Sequence, residues 1–378
     1  MSRMLPDGRR LGAHLALADG MVKAADRAVE IGATALQIFS DNPTAWRRRA
    51  APSPEIPAFR DRLRAAGIAP LAIHASYLVN LAGNDPSYHE RSVAMLAAEL
   101  RIARRFGAVF VNAHIGSHGG AGAEVGIERL AAAVRRALDA ENDVEPPAEP
   151  DDDDGDTGRT GDADGNGESA AAADPDVPLG SPATITLENS VGAGFGLGID
   201  VEQLAAIADA LAAGGVADAR VGFCLDTAHA WGAGHAMDDP AAIDALLEAF
   251  DRRIGLGRLR LIHLNDSKSE RGSLMDRHEH VGAGRIGEAG LGHLLRHPWL
   301  SHAAYILETP GMDEGYDAIN LARAVALARG EPLEPLPPGA FTLRSSRARA
   351  ATPAATPAEP GAVDQPTGDA AVRAATPA

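Results

Sequence analysis

Residues 221–230 read VGFCLDTAHA. Val221 to Asp226 is a short apolar run that stops on a carboxylate, with His229 one turn further on. Such a run, bounded by polar residues and too short for a stable helix, reads as a buried strand. A period of two puts Cys224 on the same face as Asp226, one layer deeper, as a small buried residue. This strand therefore carries chemistry at its C-terminal end and packing below it.

The same rhythm recurs in both directions along the chain. Strand candidates are 12–15, 35–39, 71–74, 109–114, 183–188, 221–226, 259–264 and 304–308, each followed by a segment with Ala, Leu and Ile at helical spacing. Helices are expected over 21–31, 87–106, 127–140, 201–213 and 240–250, the last capped by Asp239 with Pro240 in its first turn. Eight βα units fit an α/β fold of the (βα)8 TIM-barrel type, usually about 250 residues. A doubly wound open sheet is the alternative.

Two segments break the rhythm. From Glu141 to Asp176 there are fourteen carboxylates and one basic residue, Arg159, which is thirteen of the seventeen net negative charges of the 378-residue chain. The segment is nearly devoid of large apolar side chains and cannot bury enough surface to offset its ordering entropy. We read 141–181 as a disordered acidic insertion between the fourth helix and the fifth strand, at the end of the barrel opposite the loops that follow strands. Its DDDDGDTG run does not have EF-hand spacing. The last stretch, 331–378, is rich in Pro and Ala and reads as a disordered tail. The domain expected is thus a barrel over 1–330, interrupted by 141–181.

Composition bounds the chemistry. One cysteine rules out an intramolecular disulfide and any zinc site built from two thiolates, so a metal site would rely on His, Asp and Glu. No run of about 18 apolar residues and no secretory h-region is present, so the chain reads as cytoplasmic, with no membrane partner.

In a barrel, C-terminal strand ends converge on one face. Here they carry His74, His114, Glu188, Asp226 with His229, His263 and Glu308, and the loop after the seventh strand adds Asp276 and His278. Nine ionisable groups at one mouth would suffer large desolvation and like-charge costs without cations. Nitrogen and oxygen donors without thiolate suit zinc, manganese or iron, and nine ligands suit two or three ions. Paired ions clamping a phosphate point to phosphodiester hydrolysis.

The runs HASYLVNLAG (74–83), CLDTAHAWGAG (224–234) and HLNDSKSERGSLMDRHEHVGAGRIG (263–287) resemble the signature segments of the endonuclease IV family of apurinic/apyrimidinic (AP) endonucleases. The resemblance covers roughly residues 11–329 outside the insertion. It implies a zinc (βα)8 enzyme of base-excision repair with three zinc ions per chain, manganese being an alternative at some sites. His74, His114 and Glu188 would hold one ion. Asp226, His263 and Glu308 would hold the second, with Glu188 bridging the two and orienting the attacking hydroxide, and His229, Asp276 and His278 would hold the third. The implied reaction is cleavage 5′ to an abasic site in duplex DNA, leaving a 3′-hydroxyl and a 5′-deoxyribose phosphate, by a monomer.

The resemblance also places Tyr77 and Leu78 as side chains that enter the duplex at the lesion. Where the family commonly has an arginine in its Asn-x-x-x-Trp stretch, this chain has Thr44, and Arg47, Arg48 and Arg49 follow Trp46 as candidate phosphate contacts. Ala16 and Asp19 stand where the family usually shows Ser and Gly. Other readings are a metal-dependent sugar isomerase or epimerase on a related barrel, and a non-catalytic lesion sensor. His118, His235 and His280 match no ligand position, and the glycines at 192, 194, 196 and 198 lack the context of a dinucleotide fingerprint.

Overall fold

The computed structural model describes residues 5–49, 51–142 and 180–342. Eight parallel strands close into a barrel: β1 (Leu11–His14), β2 (Ala35–Phe39), β3 (Leu71–His74), β4 (Phe110–His114), β5 (Thr184–Glu188), β6 (Val221–Asp226), β7 (Leu259–His263) and β10 (Ala304–Leu307). Each strand pairs with its sequence neighbour, and β10 returns to β1, so the open-sheet alternative is excluded. Around it lie α1 (Met21–Ile31), α2 (Ile56–Ala66), α3 (Pro86–Phe106), α4 (Ala123–Ala140), α5 (Val201–Ala213), α6 (Thr227–Ala233), α7 (Pro240–Arg253), α8 (Gly287–Arg296) and α9 (Tyr316–Arg329). A two-stranded antiparallel ribbon, β8 (Asp266–Ser267) with β9 (His278–Glu279), sits in the loop after β7.

Local chemistry explains the boundaries. Asp85, Asp200, Asp226 and Asp239 each accept a backbone N–H in the first turn of the helix that follows. The helices bury apolar stripes, such as Ala24, Ala25, Ala28 and Ile31 of α1, against outward-facing strand residues, such as Leu36 and Ile38. Gly12 lets β1 and β2 approach, since a Cβ there would lie 1.9 Å from the Ala35 carbonyl oxygen.

Inside the barrel the lower layer is small and apolar, with Ala72, Cys224, Leu261 and Ala304 packed together. Cys224 is buried as the strand period requires, and the ionisable layer lies above it. Register fixes that layer: His114 pairs with Glu188, and Asp226 with His263.

The two borders of the acidic segment are anchored where α4 ends and β5 begins, at the end opposite the strand-following loops. Glu141 is buried and accepts from Arg220 (2.7 Å), Arg104 donates to Asn142 (2.9 Å), and Gly180 N–H donates to the Arg104 carbonyl (2.9 Å). The rest of the expected insertion, 143–179, lies outside the described residues. Residues 331–341, at the start of the expected tail, lie against the barrel. Leu333 packs on the core, Arg323 donates to the Glu334 carbonyl, and His280 Nε2 donates to the Ala340 carbonyl (3.1 Å). Residues 343–378 lie outside the described residues. Among those described, no helix is long and apolar enough to cross a membrane.

Candidate metal centre

Six of the eight barrel strands deliver an expected polar residue, at or just past their C-terminal end, to one pocket. His74 and His114 come from the last positions of β3 and β4, Glu188 from β5, Asp226 from β6 and His263 from β7, while Glu308 follows β10 directly. Asp226 also caps α6 by accepting the His229 N–H (2.8 Å), and that turn brings His229 over the mouth. The β8–β9 ribbon folds the long loop back, so His278 returns to the same pocket.

The nine side chains fall into overlapping groups. His74 Nε2 and His114 Nε2 lie 3.5 and 3.7 Å from Glu188 Oε2. His263 Nδ1 lies 3.3 Å from Glu188 Oε1, 3.9 Å from Asp226 Oδ2 and 3.3 Å from Glu308 Oε2. His278 Nε2 lies 3.7 Å from Asp226 Oδ2 and 3.0 Å from Asp276 Oδ1, whose other oxygen is 3.3 Å from His229 Nε2. Donor atoms of His74/His114/Glu188, of Glu188/Asp226/His263/Glu308 and of Asp226/His229/His278 lie within 4.8 Å of one another in each group. Glu188 belongs to two groups and presents a different oxygen to each.

Buried hydrogen bonds set the imidazole tautomers. The Nδ1 atoms of His74, His229 and His278 donate to the carbonyls of Ala75 (2.8 Å), Asn189 (2.9 Å) and Glu308 (2.8 Å), which turns each Nε2 lone pair into the pocket. His263 is reversed. Its Nε2 donates to Gln37 Oε1 (3.1 Å), so Nδ1 is the free atom. Neutral amides hold the carboxylates: Asn112 donates to Glu188 (2.5 Å), Asn265 to Asp226 (2.6 Å) and Gln37 to Glu308 (2.7 Å).

The electrostatics are those of a self-balancing cluster. Burial opposes the Glu188 carboxylate, yet the imidazoles of His263, His114 and His229 hold its pKa well below the usual range. Burial likewise opposes charge on Asp276, but His229 and His278 keep it ionised far into acid. Burial pushes the Asp226 pKa up and lowers that of His114 to about 4. His278, buried but flanked by Asp226 and Asp276, is raised to about 9.

Two participants were not among the sequence candidates. His14, at the end of β1, lies 3.2 Å from Glu308 Oε1 and leaves a buried Nε2 unpaired. Gln37, fully buried in β2, touches His14, His263 and Glu308. Applying the strand-end rule to β1 finds His14, and an inward period of two before Phe39 finds Gln37. The other histidines are apart: His235 donates to the Ile199 carbonyl (2.8 Å), His118 accepts the Gly122 N–H (3.0 Å), and His280 is buried against Asn320.

At the rim, Tyr77 is exposed and its ring centroid stands 5.8 Å from that of His74 and 6.2 Å from that of His114, with Leu78 half-buried beside it. Arg47 and Arg49 are exposed, and Arg49 lies 3.4 Å from Asp41. Arg48 turns inward instead, pairing with buried Glu99 and donating to Met95 Sδ (2.8 Å). Its charge is neutralised inside the fold, so Arg48 is turned away from the surface where the triplet was expected to meet phosphate.

Residues 25–329 match the family described as a xylose isomerase-like TIM barrel. A relative from Methanoculleus marisnigri called probable endonuclease 4 is 36% identical over 318 residues, covering 84% of this chain and 98% of that protein. The chain belongs to the endonuclease IV family. The crystal structure of endonuclease IV from Thermus thermophilus superposes with a TM-score of 0.65 at 34% identity, covering 85% of this chain and 99% of that one. A D-tagatose 3-epimerase-like protein, 15% identical with a TM-score of 0.52 over 85% of this chain and 97% of its own, shares the fold alone.

Proposed function

We propose that this endonuclease IV family member hydrolyses the phosphodiester 5′ to abasic sites in duplex DNA, using three zinc ions held by His74, His114, Glu188, Asp226, His229, His263, Asp276, His278 and Glu308. The observation that carries the reading is the set of buried atoms without hydrogen-bond partners. Glu188 Oε1, His263 Nδ1 and His278 Nε2 all face the pocket unpaired, and each is a lone-pair donor suited to a cation. The donor set fits zinc, and manganese could replace it where oxygen donors predominate.

When bound, such ions supply a nucleophile at neutral pH and stabilise charge on the phosphate and the departing 3′-oxygen. The protein's own contribution is preorganisation. Glu188 offers one oxygen to each side of the pocket while Asn112 fixes its plane. Gln37 and the Asn189 and Glu308 carbonyls hold three imidazoles in the ligating tautomer. In this reading Tyr77 and Leu78, at the rim, enter the duplex, and the exposed Arg47 and Arg49 contact phosphates. The products are a 3′-hydroxyl and a 5′-deoxyribose phosphate, and the enzyme acts as a monomer.

The test is incision of a duplex bearing one tetrahydrofuran abasic analogue by pure protein, before and after prolonged chelation, with metal counted on the same preparation. Chelator-sensitive incision 5′ to the lesion supports the reading, and its absence in metal-replete protein sinks it. A sugar isomerase would use one or two ions and has no role for the His229, Asp276 and His278 group. A lesion sensor would bind the analogue without cutting it.

A further inference from the structure

On the outer helical layer, three side chains outside the barrel mouth converge in the manner of a ligand set. His293 of α8 and His297 at that helix's C-cap are four residues apart, the spacing that stacks side chains on one helical face. Asp244 of the neighbouring α7 meets both. Its Oδ1 lies 2.5 Å from His293 Nε2 and 3.2 Å from His297 Nε2, and the donor atoms of all three residues are within 4.8 Å of one another.

Both imidazoles point the same ring nitrogen at one carboxylate oxygen, and their centroids are 5.4 Å apart. Two separate hydrogen bonds would not need to share that atom, whereas an ion needs donors gathered about a single point. His297 is 7% exposed, His293 28% and Asp244 46%, so the group is backed by protein on one side and open to water on the other. Burial lowers the His297 pKa, which favours the neutral imidazole that a metal needs. Arg9 also acts on His297, but Asp7 pairs with it at 2.8 Å.

We propose that Asp244, His293 and His297 form a peripheral site for one divalent transition-metal ion of the zinc type, clipping α7 to α8, with water completing its coordination. Two imidazoles and one carboxylate are a common three-ligand set for zinc and bind copper(II) and nickel(II) as well. Ligation through Nε2 moves the His297 proton to Nδ1, which now accepts a long bond from the Trp299 N–H (3.3 Å). That bond yields on loading. Trp299 thereby becomes a reporter, because its ring centroid is 5.2 Å from that of His297.

The experiment uses full-length protein already loaded with zinc at the barrel mouth, titrated with copper(II) while tryptophan fluorescence is read. Wild type should show a saturable quench that disappears in Trp299→Phe. Removing partners that merely orient a ligand weakens metal binding about 10–100-fold. Loss of a direct ligand in His293→Gln or Asp244→Asn should therefore weaken the copper transition at least about tenfold. In buffered free zinc, each of these two variants should also hold one ion fewer per chain than wild type, with unchanged circular dichroism and abasic-duplex incision. The difference of one ion carries the test, so it stands apart from the count at the barrel mouth. Copper affinity equal in wild type and variants, or a zinc count that does not fall, overturns the proposal.

Discussion

Glu188 Oε1 and His263 Nδ1 face each other at 3.3 Å across the barrel, and neither has a hydrogen-bond partner. Gln37 explains why. Its amide nitrogen donates to Glu308 and His14, so its oxygen must accept from His263 Nε2, and a neutral His263 then presents a lone pair to a carboxylate. Only a proton or a cation between them relieves the clash. Glu188→Gln should thus lower incision of an abasic duplex by on the order of 10³-fold while leaving lesion binding within a fewfold. Band-shift and single-turnover incision on the same preparation check it, and near-normal incision would remove Glu188 from the centre.

Gln37 acts through the residues it holds. Gln37→Leu keeps its size but removes the acceptor for His263 and the donor to Glu308, so metal affinity should fall about 10–100-fold. The expected signature is a drop in kcat with KM little changed, rescued by excess zinc. Loss of activity that zinc does not restore would point to a packing role instead.

The metal-free protein should have a pH dependence of its own. Burial disfavours the His278 cation, but Asp226 and Asp276 raise its folded pKa to about 9, against about 6.5 for an unperturbed imidazole. The folded state then binds this proton more tightly than the unfolded state. The stabilisation is fully present below about pH 6.5 and is lost as pH rises to about 9, roughly 3 kcal/mol as an order of magnitude. His114 works the other way, since burial lowers its pKa to about 4 and costs stability as pH falls below about 6.5. Melting temperature of chelated protein should therefore fall between pH 6.5 and 9, and bound metal should abolish that fall by displacing the protons. A rise over the same window in the chelated form would contradict the assignment.

The arginine triplet should divide by direction. Arg48 pairs with Glu99, whose side chain is only 1% exposed, so Arg48→Met strands a buried carboxylate and should cost about 3–5 kcal/mol of stability. Arg49→Ala should leave the melting temperature unchanged and reduce the salt slope of DNA binding by about one. Denaturant titration and binding at two salt concentrations separate them. Equal effects on both readouts would mean the triplet acts as one surface patch.

Most of the centre was legible because a strand shows its terminal residue plainly. His74, His114, Glu188, Asp226 and His263 each close an apolar run, and His229 follows Asp226 by the helical turn that Asp226 itself caps. His14 obeys the same rule, but the apolar run reads on into Leu15, so a strand expected over 12–15 leaves His14 one residue inside its end, whereas β1 closes on His14 itself. Gln37 is hidden for another reason: a neutral amide inside a strand carries no sign of the three partners that folding brings to it. The inward turn of Arg48 depends on Glu99, fifty-one positions away on α3, and no local pattern announces that pairing. The β8–β9 ribbon has two residues per strand, below the length at which alternation can be seen.

The acidic segment offers a test of charge. Thirteen net negative charges lie between residues 141 and 176, while the barrel mouth must receive a polyanion. Its borders are anchored at the far end of the barrel, where buried Glu141 holds Arg220, so a clean deletion keeps Glu141 and Gly180 and removes 143–178. If these carboxylates repel phosphate, the deletion should bind undamaged duplex more tightly and with a steeper dependence on salt, because more counterions are then released on binding. Incision at an abasic site in low salt should change little, since no proposed metal ligand is removed. Fluorescence anisotropy with undamaged and abasic duplexes from about 50 to 200 mM salt reads both quantities. Unchanged affinity and slope would reduce the segment to a linker, and lost incision would place part of it in the folding of the barrel.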